Sequence, residues 1–149
     1  MAIFNKDFYT IENETLRLEL IETNEGNEKA LPFYWWKIIL KEINKEIGKI
    51  SLRIGHNYHS YFNGNVGYEI DSEYRGHNYA YKACELIIPV AKYHGMNFIY
   101  ITCDFDNIPS IKTIEKLGAE FLEEVIPPKD YVFYFDGISS HKIYKLSIK

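Results

Sequence analysis

The sequence is short of cysteine, of long apolar runs and of surplus positive charge, and each shortage excludes something. Cys84 and Cys103 are the only cysteines in 149 residues, at a spacing that fits no metal or redox motif. A disulfide-stapled scaffold and a zinc domain are both excluded. The longest apolar stretches, Leu31 to Trp36 and Leu86 to Ala91, fall far short of the roughly 20 residues a membrane-spanning helix requires. The opening MAIFNKDFYT has acidic and polar residues where a secretory signal carries an apolar run. A cytoplasmic protein with two reduced thiols and no membrane contact is the expectation. Seventeen Lys and Arg against 21 Asp and Glu leave a formal charge of −4. That balance gives no footprint for polyphosphate and argues against a general nucleic-acid binder.

Internal repeats and low-complexity linkers are also missing. The length is that of one domain, residues 1–149, with an ordinary share of apolar residues, 46%. Aromatics are plentiful at 16%, with 13 tyrosines. Tyrosine joins a large apolar body to a polar tip, which suits core edges and ligand clefts alike.

The hydrophobic pattern has two parts. In the first half, Leu16, Leu18 and Leu20 alternate with polar residues, Tyr34 to Glu42 is rich in β-formers, and Ile50, Leu52 and Ile54 alternate again. These predict strands, the last two runs forming a hairpin around Asn44-Lys45. Gly55 to Gly64 reads as a loop before a strand at Val66 to Asp71. From Asn78 to His94 the spacing becomes helical, with Ala80, Ala83, Ile87, Val90 and Ala91 on one face and Gly95 to close the end. Pro89 inside that helix predicts a kink costing about 3 kcal/mol. A strand at Phe98 to Cys103, a helix from Ile108 with Pro109 in its first turn and Gly118 past its end, and strands at Glu120 to Ile126 and Ile143 to Ile148 complete the chain. The predicted class is α/β (α+β): a mixed, mostly antiparallel sheet of about seven strands with one β-α-β crossover.

The most informative segment is Val66 to Ala80, VGYEIDSEYRGHNYA. A strand ends, and Arg75-Gly76-His77-Asn78 opens a helix whose first amides are unpaired and partly positive, a geometry that cradles anions. Gly76 permits close backbone approach, Asn78 tolerates left-handed geometry, and Arg75 adds charge. Most strand-to-helix turns bind nothing, and this one is neither a P-loop nor a dinucleotide fingerprint.

The run Tyr74 to Ala80 resembles the acyl-CoA pyrophosphate loop of the GNAT N-acetyltransferase family, Arg/Gln-x-x-Gly-x-Gly/Ala. Arg75 and Ala80 match, and Asn78 replaces the first motif glycine. Asp104 to Ala119, DFDNIPSIKTIEKLGA, resembles that family's second signature: Asn, two residues, Ser or Ala, then a helix ending in Leu-Gly. The resemblance implies acetyl-CoA as co-substrate, a primary amine as acceptor (small molecule or protein), and no metal. The pantetheine arm would lie between two splayed strands and pair with backbone around Tyr68 and Ile70. Amides from Gly76 through His77, Asn78 and Tyr79 to Ala80 would hold the pyrophosphate, and Asn107 and Ser110 would touch the arm from the other side. An amide near Tyr68 would stabilise the developing oxyanion.

Two departures matter. The family places one or two helices between its first two strands, whereas Thr23 to Phe33 is too short and polar for them. The tyrosine that protonates the departing thiolate in many members falls at Ile114, which has no proton to give. Ser110, Tyr134 in the aromatic stretch Lys129 to Gly137, or solvent would substitute. As base, Glu69 ranks ahead of His56 and His59, although an unmatched register leaves Glu69 equally readable as a solvated strand residue beside Asp71. The two histidines lie in a segment with no third metal ligand. Cys103 reads as a small buried hydrophobe rather than a nucleophile. The aromatic stretch either covers the acceptor cleft or packs on the sheet or a second subunit, so a homodimer is compatible. The rival reading is a non-catalytic acyl-CoA-binding regulatory module.

Overall fold

Alternating leucines, isoleucines and aromatics build one sheet face that a single long helix can cover, and the architecture follows from that packing. The structure is a computed structural model that describes residues 4–149. The strands are β1 (Thr10–Glu12), β2 (Leu16–Asn24), β3 (Phe33–Leu40), β4 (Lys45–Arg53), β5 (Val66–Ile70), β6 (Phe98–Asp104), β7 (Glu120–Val125) and β8 (His141–Ser147). The helices are α1 (Tyr58–Asn63), α2 (Tyr79–Tyr93) and α3 (Ile108–Lys116).

As expected, the fold is α+β with antiparallel strand pairing; the strands divide into two sheets. One has five strands in the order β1-β2-β3-β4-β5, the other three in the order β6-β8-β7. The α2 crossover brings β6 beside β5, but the two meet only around Asn65. Its backbone N–H donates to the Tyr100 carbonyl at 2.7 Å, and the Tyr100 N–H donates to its Oδ1 at 2.9 Å. The same side chain donates to the Arg53 and Gly55 carbonyls at 3.0 and 2.7 Å. This fully buried amide takes the place of a strand ladder at the seam. Gly64 permits the approach: it has φ 76°, and a β-carbon there would lie 3.1 Å from the Tyr100 carbonyl oxygen. Beyond Asn65 no backbone hydrogen bond joins the two strands among the described residues, and β5 is left with a free edge.

The main core lies between the inner sheet face and α2. Leu16, Leu18, Trp36, Ile38, Ile50 and Leu52 pack against Ala83, Ile87, Val90 and Ala91, with Ile99 and Ile101 of β6 closing one side. Burial on this scale is what stabilises both sheets. Helix α2 runs through Pro89 uninterrupted. Both Glu85 and Pro89 are exposed, so the carbonyl deprived of its donor lies on the solvent side. Asn78 precedes the helix with φ 63°, as left-handed tolerance suggests, and its side chain makes no capping hydrogen bond.

The segment read as a loop at Gly55 to Gly64 contains α1. Asn57 and Ser60 form a reciprocal capping box, at 2.8 Å for Ser60 N–H to Asn57 Oδ1 and 3.0 Å for Asn57 N–H to Ser60 Oγ. The helix is too short to stand on propensity alone. It persists because Phe62 is buried with Tyr131 and Ile143 in a second apolar cluster on the outer face. Strand β1 was also not foreseen; it is short and pairs only with β2. Strand β4 begins at Lys45, five residues before the apolar alternation, because a bulge at Ile38/Ile39 lets the polar end stay in register. Residues between β2 and β3 contain no helix among those described.

Candidate active site

The seam at Asn65 defines the site. Past it, β5 is the free edge of the five-stranded sheet and α3 leans over the gap. The two enclose a cleft of about 600 Å³, within the usual range of roughly 300–1,000 Å³ for small-molecule sites. It is lined by Tyr68, Glu69 and Ile70 of β5, by Tyr74, Arg75, Gly76, Asn78, Tyr79 and Ala80 at the start of α2, and by Asn107, Ser110, Lys112, Thr113 and Lys116 of α3 and its cap. Two sequence segments far apart in the chain, each read as a signature, thus face each other across one opening.

Local chemistry explains each wall. Strand β5 pairs with β4 from Gly48↔Ile70 to Leu52↔Val66 and leaves its other edge open, a row of donors and acceptors to which an extended chain can add. The turn into α2 is fixed by Arg75, whose Nε donates to the Ile70 carbonyl at 2.9 Å. Gly76 stands at φ 87° with no atom within 4 Å of where a β-carbon would project. A side chain there would meet open space, so it is the left-handed backbone, not crowding, that favours glycine. Asn107 caps α3 by accepting from the Ser110 N–H at 3.2 Å.

Deep in the cleft the Tyr68 hydroxyl lies 3.0 Å from Ser110 Oγ. Burial pushes the Tyr68 phenol up to about 12, so it stays protonated and can donate a hydrogen bond. The sequence assigned Tyr68 only a backbone role. Its hydroxyl meets α3 at Ser110, one turn before Ile114, which is itself fully buried and does not line the cleft. Lys112 and Lys116 were also missed; their i, i+4 spacing on α3 beside Arg75 gives the mouth three cations suited to a phosphate-rich ligand.

Other expected site residues lie elsewhere. His77 is exposed and does not line the cleft. Tyr134 packs against the second apolar cluster of Phe62, Tyr131 and Ile143, not in the cleft. The aromatic stretch Lys129 to Gly137 forms neither strand nor helix; its Tyr131 is buried on the sheet while Phe133 and Phe135 stay exposed. His56 stacks on Phe98 with ring centroids 4.2 Å apart, and His59 Nδ1 accepts from the Val132 N–H at 3.1 Å. Both histidines are held on the outer face. Among the base candidates, Glu69 is the one that lines the cleft. Cys103 is half-buried and free, and burial pushes its thiol up to about 11, the behaviour of an inert thiol. Among the described residues no cluster of metal-ligating side chains occurs and no helix is long and apolar enough to cross a membrane.

An open strand edge, a glycine turn at a helix start and a facing capped helix form one cleft whose geometry suits an extended ligand with an anionic end. The sequence pattern of the acetyltransferase (GNAT) domain family matches residues 4–120. The chain belongs to that family and is an acetyl-CoA-dependent acetyltransferase. Its fold is shared with solved structures at low identity. A ribosomal-protein-S5-alanine acetyltransferase from Vibrio fischeri aligns with TM-score 0.68 and 18% identity, over 94% of this chain and 97% of its own. An acetyltransferase from Salmonella typhimurium that modifies the N-terminal serine of ribosomal protein L7/L12 aligns with TM-score 0.60 and 16% identity, over 78% of this chain and 64% of its own. The microcin C7 self-immunity acetyltransferase, solved with acetyl-CoA and AMP, gives 0.60 and 20%, over 77% of this chain and 61% of its own. No curated protein matches the chain by sequence.

Proposed function

We propose that residues 1–149 act as one N-acetyltransferase domain that moves an acetyl group from acetyl-CoA to a primary amine by direct attack. The observation that carries this reading is the single cleft joining the free β5 edge, the Gly76 turn and the Tyr68–Ser110 hydroxyl pair. Bound acetyl-CoA supplies an activated thioester carbonyl. The chain's residues do the rest. Backbone around Tyr68 and Ile70 pairs with the pantetheine arm. Amides from Gly76 to Ala80, with Arg75, Lys112 and Lys116 at the mouth, hold the phosphates. The Tyr68 N–H faces the carbonyl oxygen under attack.

As the N–C bond forms the C–S bond breaks, the amine proton passes to Glu69 or water, and the sulfur leaves with the electron pair. A thiol with a pKa near about 8.5, taking cysteine as guide, leaves as thiolate at modest cost. The hydroxyl of Tyr68, backed by Ser110, stabilises that charge by hydrogen bonding, and water returns the proton. Amine deprotonation is the larger barrier for a lysine-like acceptor, roughly 4 kcal/mol at pH 7.4 for a pKa near 10.4, and below about 1 kcal/mol for a chain-terminal α-amine. Two of the three neighbours named above act on ribosomal proteins, one of them at an N-terminal serine, so N-terminal peptides belong in the test beside lysine, polyamines and amino acids. Thiol release from acetyl-CoA over that panel tests the reading. Turnover with at least one amine supports it, and tight CoA binding with no turnover favours the regulatory module instead.

A further inference from the structure

On the outer face of the five-stranded sheet lies a second, smaller cavity of about 110 Å³ that the acyl-donor cleft does not use. Its polar walls are Lys29, Arg53, Asn57, Ser60 and Asn63, and no Asp or Glu lines it. Arg53 reaches it from β4. One Nη1 hydrogen donates to the Gly64 carbonyl at 3.2 Å. The guanidinium makes no ion pair within 4.0 Å and no other hydrogen bond among the described residues. Four of its five N–H donors are left for a ligand. Asn63 adds a second anomaly: its Oδ1 is buried without a hydrogen-bond partner. Native structures rarely leave such a group orphaned, and either end of a side-chain amide can be presented at that point.

Position links this cavity to the reaction. A β-carbon on Gly67 would lie 4.0 Å from Arg53 Nη1, and Gly67 precedes Tyr68, whose amide faces the reacting carbonyl in the reading above. A planar guanidinium recognises a carboxylate by two parallel hydrogen bonds, and Leu31, Phe33, Val132 and Phe133 wall the site with apolar surface that strengthens such a pair. The space admits a carboxylate and a few carbons, not a folded protein tail.

We infer that Arg53 and Asn63 anchor the acceptor, and that the acceptor is a small amine carrying a carboxylate near its amino group. This rests on the acetyl-transfer reading. The carboxylate sits on the Arg53 fork, Asn63 takes an adjacent polar hydrogen or acceptor, and the amine points past Gly67 toward the thioester. A half-buried cation without a protein counter-charge is then explained as one whose counter-charge arrives with the substrate.

The test compares α-, β- and γ-amino acids with their primary amides and with alanine- and serine-terminated peptides, using acetyl-CoA and the whole chain. The expected result is at least one amino acid whose kcat/KM exceeds that of its amide by 30-fold or more. Arg53→Gln should erase that preference while the KM for acetyl-CoA changes less than twofold, and Arg53→Lys should keep part of it. Amides or peptides accepted as well as the amino acids by the wild-type chain, which needs no variant to fold, would overturn the inference. So would a preference that survives Arg53→Gln. If no amine is turned over, the acetyl-transfer reading fails on its own. The anchor is then read by titrating the amino acids into CoA-loaded protein: saturable binding lost in Arg53→Gln supports it, and absence of binding refutes it.

Discussion

The two concave regions of this molecule are assembled in opposite ways. The cleft takes its walls from two compact segments, residues 68–80 and 107–116, each of which carries its own turn, cap and charge. The outer cavity draws on residues near 30, on Arg53, on α1 and on residues 132–133, brought together only by packing. The first region can be written as short motifs because its walls are a strand edge and two helix starts, each set by local backbone preference. The second depends on side chains whose neighbours come from distant parts of the chain. A family that keeps one donor and varies its acceptors would be expected to divide its structure along this line.

The seam at Asn65 supports both regions, so breaking it gives the largest effect. Asn65→Leu would orphan the Arg53 and Gly55 carbonyls and the Tyr100 N–H. At about 1–3 kcal/mol for each buried unsatisfied group, destabilisation of at least about 3 kcal/mol is expected. For a chain of this length that lowers Tm by roughly 6–12 °C, readable in thermal denaturation. An unchanged Tm would mean that the two sheets are joined elsewhere.

Next in size is the hydroxyl pair. Tyr68→Phe keeps the ring and removes the donor, so turnover should fall by about ten- to a hundredfold, the worth of a hydrogen bond to a charged group, with CoA affinity unchanged. Tyr134→Phe, against the second apolar cluster, should leave turnover within about twofold. The reverse pattern would move the leaving-group contact from the cleft to the aromatic stretch.

Gly76→Asp tests the cleft alone. A negative charge and a β-carbon on the turn at φ 87° should weaken CoA by at least tenfold, about 1.4 kcal/mol, by calorimetry. Asn78→Gly, at a left-handed position, should bind CoA as the wild type does.

The smallest effect is a pH dependence of stability. Burial lowers the pKa of both His56 and His94, and His94 Nε2 lies 2.8 Å from the Tyr34 hydroxyl. A histidine whose folded pKa is below the unfolded value of about 6.5 binds fewer protons when folded. Its contribution is therefore complete above about pH 6.5 and is lost as pH falls toward the folded pKa. The urea midpoint should be lower at pH 5.5 than at pH 7.5, and His94→Gln should reduce the difference.

Much of the cleft was legible because the physics there is local. Asn78 and Asn107 announce helix starts, Gly118 an end, and alternation the strands, each within a few residues. The Tyr68–Ser110 contact was not legible, since it joins positions 42 apart and the sequence marked Tyr68 for its backbone alone. Helix α1 hid for another reason. Its capping box, Asn57 and Ser60, is short and lacks the usual Glu or Gln, and its helicity depends on burying Phe62 against Tyr131 and Ile143.

The sequence by itself determined the order of the longer strands and helices, the glycine turn that opens α2 at Arg75 to Ala80 and the absence of a tyrosine at position 114. Those properties follow from side-chain periodicity and backbone preference, which act over one or two turns of chain. Only the tertiary structure decided that the sheet divides at Asn65, that the Tyr68 hydroxyl reaches the α3 face, and that Arg53 stands beside Gly67 without a protein counter-ion. Burial, pairing and the lack of pairing are properties of the assembled interior, and residues remote in the chain set them.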